Sequence, residues 1–172
     1  MNGFELDAAM RRDPVTAHHY IGTYAADTLP RFPPYPALLI VNTMKSYSPG
    51  EHWVAIALDA HGRGEYFDSY GRGPVVREHR DFMARSCSRW RYNETWLQSL
   101  DSSVCGQHCV MYLVHRAHGI TLDNYVQSYF SKNTQKNDEI VSILFQHYIE
   151  KMPVCEGVSF SCNNQICFPR KK

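Results

Sequence analysis

Residues 102–115, Ser-Ser-Val-Cys-Gly-Gln-His-Cys-Val-Met-Tyr-Leu-Val-His, place a cysteine where a polar turn becomes an apolar run. Ser102 and Ser103 are good helix N-caps and residues 109–114 are nearly all apolar, so the pattern predicts a buried helix beginning near Cys105. A thiol at that point feels the partial positive charge of unpaired backbone N–H groups, which favours its thiolate and hence nucleophilic chemistry. The plainer alternative, a small buried thiol, suits Cys109 one turn further in.

A cysteine nucleophile needs a base to take its proton, an acid to orient that base, and donors for a developing oxyanion. Nine histidines compete for the first role. His52 stands out because it follows a turn and opens an apolar strand beside Trp53, where an imidazole is held in one rotamer and shielded from water. Asp68 lies sixteen residues downstream, at the end of the segment expected to pair with that strand. Antiparallel neighbours joined by a turn bring these opposite ends together, so Asp68 is the candidate to hold the second ring nitrogen. Its alternative is an exposed strand-end aspartate.

These side chains need elements to position them. Leu6, Ala9 and Met10 are spaced for one short amphipathic helix before Pro14. Residues 21–24 read as a short strand, and four prolines within residues 29–36 mark an extended loop outside any central strand. Residues 37–43 are aliphatic and β-branched, as in a buried strand. Residues 52–59 set Trp53, Ala55 and Ala57 against Val54, Ile56 and Leu58, so both faces are expected to be buried in mid-sheet. A turn at 60–64 leads to 65–69 as the hairpin partner. Residues 74–88 have helical spacing with Val75, Val76, Phe82 and Met83 as apolar positions, and 90–97 are β-prone. Gly119 ends the helix from Cys105. Residues 122–130 and 138–149 are two further amphipathic helices, the second with Ile140, Ile143, Leu144 and Tyr148 on its apolar side.

Composition bounds the rest. The 172 residues, 44% hydrophobic and 20% charged, suit one globular domain over 1–172, with a tail at 152–172 whose order the pattern leaves open. No aliphatic stretch approaches the length of a bilayer span, and the N-terminus does not read as a signal peptide, so neither a membrane nor secretion is expected. Six cysteines then favour reduced thiols in an intracellular setting. The tail cysteines Cys155, Cys162 and Cys167 are spaced C-x6-C-x4-C, which lacks the close ligand pair of zinc sites, so no metal is expected. A net charge of +1 gives no global case for nucleic acid, and the basic cluster at residues 77–91 reads first as a solvated face.

The ordered stretches Ile21-Gly22-Thr23-Tyr24, Ile40-Val41-Asn42-Thr43, His52-Trp53, Tyr66-Phe67-Asp68 and Cys105-Gly106, with Cys109 following, carry a resemblance. The sequence resembles the adenovirus endopeptidase (adenain) family of cysteine proteases, related to papain and akin to proteases that cleave ubiquitin-like modifiers. The likeness runs over about residues 21–149, in the family's order and near its spacing. It implies an α+β papain-related fold, a central mixed or antiparallel sheet packed with helices, and a nucleophile at the N-terminus of a buried helix.

Carried over by position, the resemblance implies Cys105 as nucleophile and His52 as general base and acid. Asp68 falls one place short of the adenain glutamate, and aspartate is the residue used by the modifier-cleaving relatives. Gln98, seven residues before Cys105, matches the family's oxyanion-hole glutamine. Cys87, eighteen residues before Cys105, matches the cysteine that forms a disulfide with a short viral activating peptide. The expected activity is cleavage of viral capsid or core precursors at Gly-containing sites by a monomer, in the host nucleus or virion, with no cofactor needed for the chemistry. Two alternatives stand beside it: a protease that removes a ubiquitin-like modifier, and a catalytically inactive binding module. The near-neutral charge sets against the DNA stimulation known in the family.

Overall fold

The computed structural model describes residues 1–151. In chain order these form α1 (Gly3–Met10), α2 (Pro14–His19), β1 (Tyr20–Tyr24), a 3-10 turn (Ala26–Thr28), β2 (Ala37–Asn42), β3 (Trp53–Leu58), β4 (Arg63–Phe67), α3 (Arg77–Ser86), β5 (Arg89–Tyr92), α4 (Cys105–Ala117), α5 (Leu122–Tyr129) and α6 (Thr134–Lys151). The five strands make one sheet in the order β1-β2-β3-β4-β5. The inner pairs β2–β3 and β3–β4 are antiparallel, while the outer strands β1 and β5 run parallel to their neighbours. The sheet is therefore mixed and the fold is α+β.

β3 is the middle strand, and its alternation divides the core as its sequence predicts. Ala55 and Ala57 join the cluster containing Leu6, Val110, Leu113 and Tyr125, with Trp53 packed against it. Val54, Ile56 and Leu58 face the other way, onto Phe82 and Met83 of α3. The small alanine side chains let α4 lie close across β3, the most extensive helix-to-strand packing among the described residues. Each fully buried leucine or isoleucine here contributes about 1.5–3 kcal/mol relative to exposure.

The elements differ from their predicted form at several places. α1 lies before Pro14 with Leu6, Ala9 and Met10 buried, as expected, but a second short helix, α2, starts at Pro14, with the Asp13 side chain accepting the Thr16 N–H at 3.0 Å. β5 ends at Tyr92, because Asn93 turns aside to bond the Asp68 backbone. α6 begins four residues before the predicted start at 138, and Ile143 points outward at 69% exposure while Val141 is buried in its stead. Val75 lies outside α3 and is 63% exposed. Neither serine caps α4: Val104 occupies that position without a side-chain cap bond. Arg91 is not simply a solvated charge, since it and Arg116 grip the carboxylate of Glu65, which also accepts the Tyr112 hydroxyl at 2.8 Å. No described helix is long and apolar enough to cross a membrane. The tail cysteines fall outside the described residues.

The turn after β4 is tightly packed against the Thr95–Trp96 backbone. Gly71 has φ +67°, donates to the Asp68 carbonyl at 2.8 Å, and would set a Cβ 2.7 Å from the Thr95 carbonyl carbon. Gly62 has a similar φ of +70° with nothing within 4 Å. In urea unfolding, Gly62→Ala is expected to cost about 1 kcal/mol, the left-handed backbone penalty alone. Gly71→Ala is expected to cost at least about twice that, because the Thr95–Trp96 backbone must also move.

Candidate active site

Four of the five residues singled out by the sequence converge. His52 immediately precedes β3, Asp68 immediately follows β4, Cys105 begins α4, and Gln98 lies in the loop between β5 and α4. His52, Gln98 and Cys105 line one cleft of about 310 Å³, together with Trp53, Tyr70 and Met1, while Asp68 lies behind the His52 ring. Cys87 does not join them. It caps α3, beside Gly64 at the far end of β4, about 13 Å of strand away from Asp68.

The β3–β4 register explains the first contact. Ala55 pairs with Phe67, and continuing the ladder places His52 opposite Tyr70 with Asp68 as its diagonal neighbour on the same face. His52 Nε2 donates to Asp68 Oδ1 at 2.7 Å, and the Tyr70 ring stacks on the imidazole at 4.7 Å. The carboxylate is itself held, since Oδ1 also accepts the Tyr70 N–H at 2.9 Å. Asn93 clamps the Asp68 backbone from both sides, accepting its N–H at 2.9 Å and donating to its carbonyl at 2.7 Å. With Nε2 committed to Asp68, Nδ1 is the ring nitrogen left for Cys105, to which His52 is hydrogen-bonded.

Electrostatics at the pair favour charge separation. Burial is the largest influence on His52 and works against its imidazolium, but the hydrogen bonds and charges of Asp68 and Cys105 outweigh it and raise the group to about 9. Burial likewise works against a Cys105 thiolate. The hydrogen bond and charge of His52, with the N–H groups of Trp53 and Gly106, outweigh it and bring the thiol below its ordinary range. Because no serine hydroxyl caps α4, its leading N–H groups remain available to the sulfur. The buried histidines His79, His108 and His115 go the other way, pushed down by burial, with His79 at about 4 locked between Tyr66 and Asn42. Cys109 is fully buried and its thiol is driven up by burial, and Cys87 is pushed up to about 11 by the same cause.

Gln98 is 1% exposed and oriented at both ends of its amide. Ser69 Oγ donates to its Oε1 at 2.6 Å, and its Nε2 donates to the Ser102 carbonyl at 3.0 Å. That arrangement fixes which end is nitrogen and leaves one N–H for the cleft beside Cys105. Ser69, Tyr70 and Asn93 are site residues that the sequence reading passed over. Their signal was weak: polar side chains in short loops, with Tyr70 two residues beyond Asp68 the nearest to a local cue. Trp53, noted beside His52, turns its indole N–H to the Met1 carbonyl at 3.1 Å.

No protein-family model matches the chain, and no curated protein is similar to it in sequence. Among solved structures, the ASFV pS273R protease matches with a TM-score of 0.50 at 22% identity, over 67% of this chain. The match spans 44% of that protease, less than half its length. The central domain of uncharacterized Lpg1148 protein from Legionella pneumophila matches with a TM-score of 0.44 at 13% identity, over 78% of this chain and 88% of that one. ChlaDub1 from Chlamydia trachomatis matches with a TM-score of 0.44 at 13% identity, over 87% and 78%. The α+β architecture is thus shared with the pS273R protease. The likeness to the adenovirus family rests on the motif residues themselves.

The pair carries a testable pH signature. The imidazolium is present below about 9 and lost above it, while the thiolate is present above the depressed Cys105 value. Iodoacetamide is expected to label Cys105 well below the pH at which ordinary thiols react, with a second change in rate near pH 9. Asp68→Ala should move that second change to lower pH, and Cys87 should label far more slowly near neutrality.

Proposed function

We propose that the chain is a cysteine endopeptidase. The observation that carries this reading is the buried line from Asp68 through His52 to Cys105, with the oriented amide of Gln98 beside the thiol. The Cys105 thiolate attacks the scissile carbonyl carbon, and the oxygen takes up the electron pair. The Cys105 backbone N–H and the free N–H of Gln98 stabilise that charge by donating hydrogen bonds to the oxygen. His52 then gives its Nδ1 proton to the amine as the C–N bond breaks, leaving a thioester on Cys105. Water, deprotonated by His52, attacks the thioester, and the carboxylate leaves with the thiolate restored. Asp68 keeps the ring oriented and stabilises the imidazolium throughout.

For the substrate we propose viral precursor polypeptides cut at Gly-containing sites. The motif resemblance supports this, as does a cleft walled by Trp53 and Tyr70 that favours residues without bulky side chains. One observation favours a second reading, removal of a ubiquitin-like modifier. The third residue is an aspartate, the type used by the modifier-cleaving relatives, and it reaches His52 at 2.7 Å despite its shorter side chain. Comparing kcat/KM on a short Gly-Gly peptide and on a modifier fusion separates the two.

Cys87 is proposed as the attachment point for a cysteine-bearing activating peptide. Exchange with a peptide disulfide would join the Cys87 sulfur to one half and release the other as a thiol. A thiol pushed up to about 11 makes that exchange slow at neutral pH.

Cys105→Ala is expected to abolish cleavage of a Gly-Gly peptide, and full retained cleavage would reject the assignment. Gln98→Ala should lower kcat about 100-fold with little change in KM. If an oxidised cysteine peptide stimulates cleavage, Cys87→Ser should remove the stimulation.

A further inference from the structure

Gln98 does not place itself. Its loop is pinned from the side of β4 by the Ser69 carbonyl, which accepts the N–H groups of Leu97 and Gln98 at 2.8 and 3.0 Å. It is pinned from the opposite side by two adjacent residues in the first turns of α6. Asn137 Nδ2 donates to the Leu97 carbonyl at 3.0 Å, and Asp138 Oδ2 accepts the Ser99 N–H at 3.0 Å. The Ser102 hydroxyl lies between the Ser99 carbonyl, at 3.2 Å, and the Asp138 carboxylate. Asp138 thereby grips both ends of the short turn whose Ser102 carbonyl holds the Gln98 amide nitrogen.

The other oxygen of Asp138 faces His108 Nε2 at 3.2 Å. His108 is fully buried, one turn into α4 from Cys105, and packs beside Phe130. Its Nδ1 has no protein partner among the described residues. Burial keeps the ring neutral, opposing the pull of Asp138. A neutral ring that donates from Nε2 leaves only a lone pair at Nδ1, which costs less to bury than an orphaned N–H. A buried polar side chain with a single partner does little for stability, so its placement is better explained by what Asp138 holds.

We propose that His108 and Asp138 are positioning residues of the oxyanion site, tying the loop that carries Gln98 to the helix that begins at Cys105. This rests on the cysteine-protease reading and deepens it. The pair acts through Ser99 and Ser102 on Gln98. Among the described residues it shares no hydrogen bond with His52 or Asp68, and it reaches that side through charge, His108 on His52 and Asp138 on Tyr70. Removing it should loosen oxyanion stabilisation while leaving the thiolate intact.

Two reactions of the full chain separate these functions. Iodoacetamide alkylates Cys105 without forming an oxyanion, whereas 4-nitrophenyl acetate acylates it through a tetrahedral intermediate and needs no peptide recognition. Asp138→Ala is expected to slow acylation about 10- to 100-fold, and peptide kcat equally with KM little changed, while alkylation stays within about twofold. Asp138→Asn keeps an oxygen for the Ser99 N–H and should recover most of the loss. Should Asp138→Ala fail to fold, His108→Phe releases the pair from the α4 side and should lower the acylation-to-alkylation ratio in the same direction. An unchanged ratio in a folded variant, or acylation and alkylation falling together, would overturn the proposal. A parent protein that alkylates at Cys105 yet is acylated no faster than Cys105→Ala would reject the acyl-transfer reading itself, and this proposal with it. A parent that acylates at Cys105 but cleaves no peptide would reject only the endopeptidase reading.

Discussion

The register of β3 against β4 is the constraint on which the site depends. Side chains alternate across a strand, so a slip of one residue would turn Asp68 to the opposite face from His52. What prevents the slip is the two-sided burial of β3: Val54, Ile56 and Leu58 have a core of their own, distinct from that of Ala55 and Ala57. Exchanging the two sets would drive branched side chains into the narrow space beneath α4 and leave a void over α3. A packing requirement thereby sets a hydrogen bond of 2.7 Å at the sheet's end.

The second requirement is that α4 approach β3 closely at its N-terminus, so that a buried sulfur meets the imidazole and leading N–H groups at once. Burial alone would silence the thiol, as it does Cys109 one turn later on the same helix. The two cysteines share a helix but differ in depth and in donors: Cys105 borders the cleft and has His52, Trp53 N–H and Gly106 N–H, while Cys109 is fully buried among apolar neighbours. The absence of a side-chain cap, a cost to the helix by itself, belongs to that arrangement, since a serine hydroxyl would compete for the same N–H groups.

This division marks what was legible in the chain. The alternation of residues 53–58, the helix start at Cys105 and the turn-joined pair His52 and Asp68 are local signals, and local periodicity and turn chemistry read them correctly. The same reasoning failed where a local rule met a tertiary one. The serines before Cys105 have the composition of caps, yet Ser102 is recruited toward Ser99 and Asp138. Ile143 has the right spacing for an apolar face, but Val141 takes its place in the core, while Leu144 and Tyr148 pack inward as expected. Gln98 carries no local signal at all and was visible only through resemblance.

The residues that hold Gln98 and Asp68 were illegible for a common reason. Ser69 reaches 29 residues to Gln98, Asn93 reaches 25 to Asp68, and Asp138 reaches 39 to Ser99. None sits in a periodic pattern, and each is a polar side chain whose default place is at a surface. Their burial becomes affordable only because each finds a backbone or amide partner in the fold. Reacting groups can be specified by short-range chemistry, since a thiol needs its helix end and an imidazole its strand end. Groups that fix the distances between elements must belong to other elements, so they lie far apart in the chain. A site of this kind is read from sequence as its chemistry first and its geometry last.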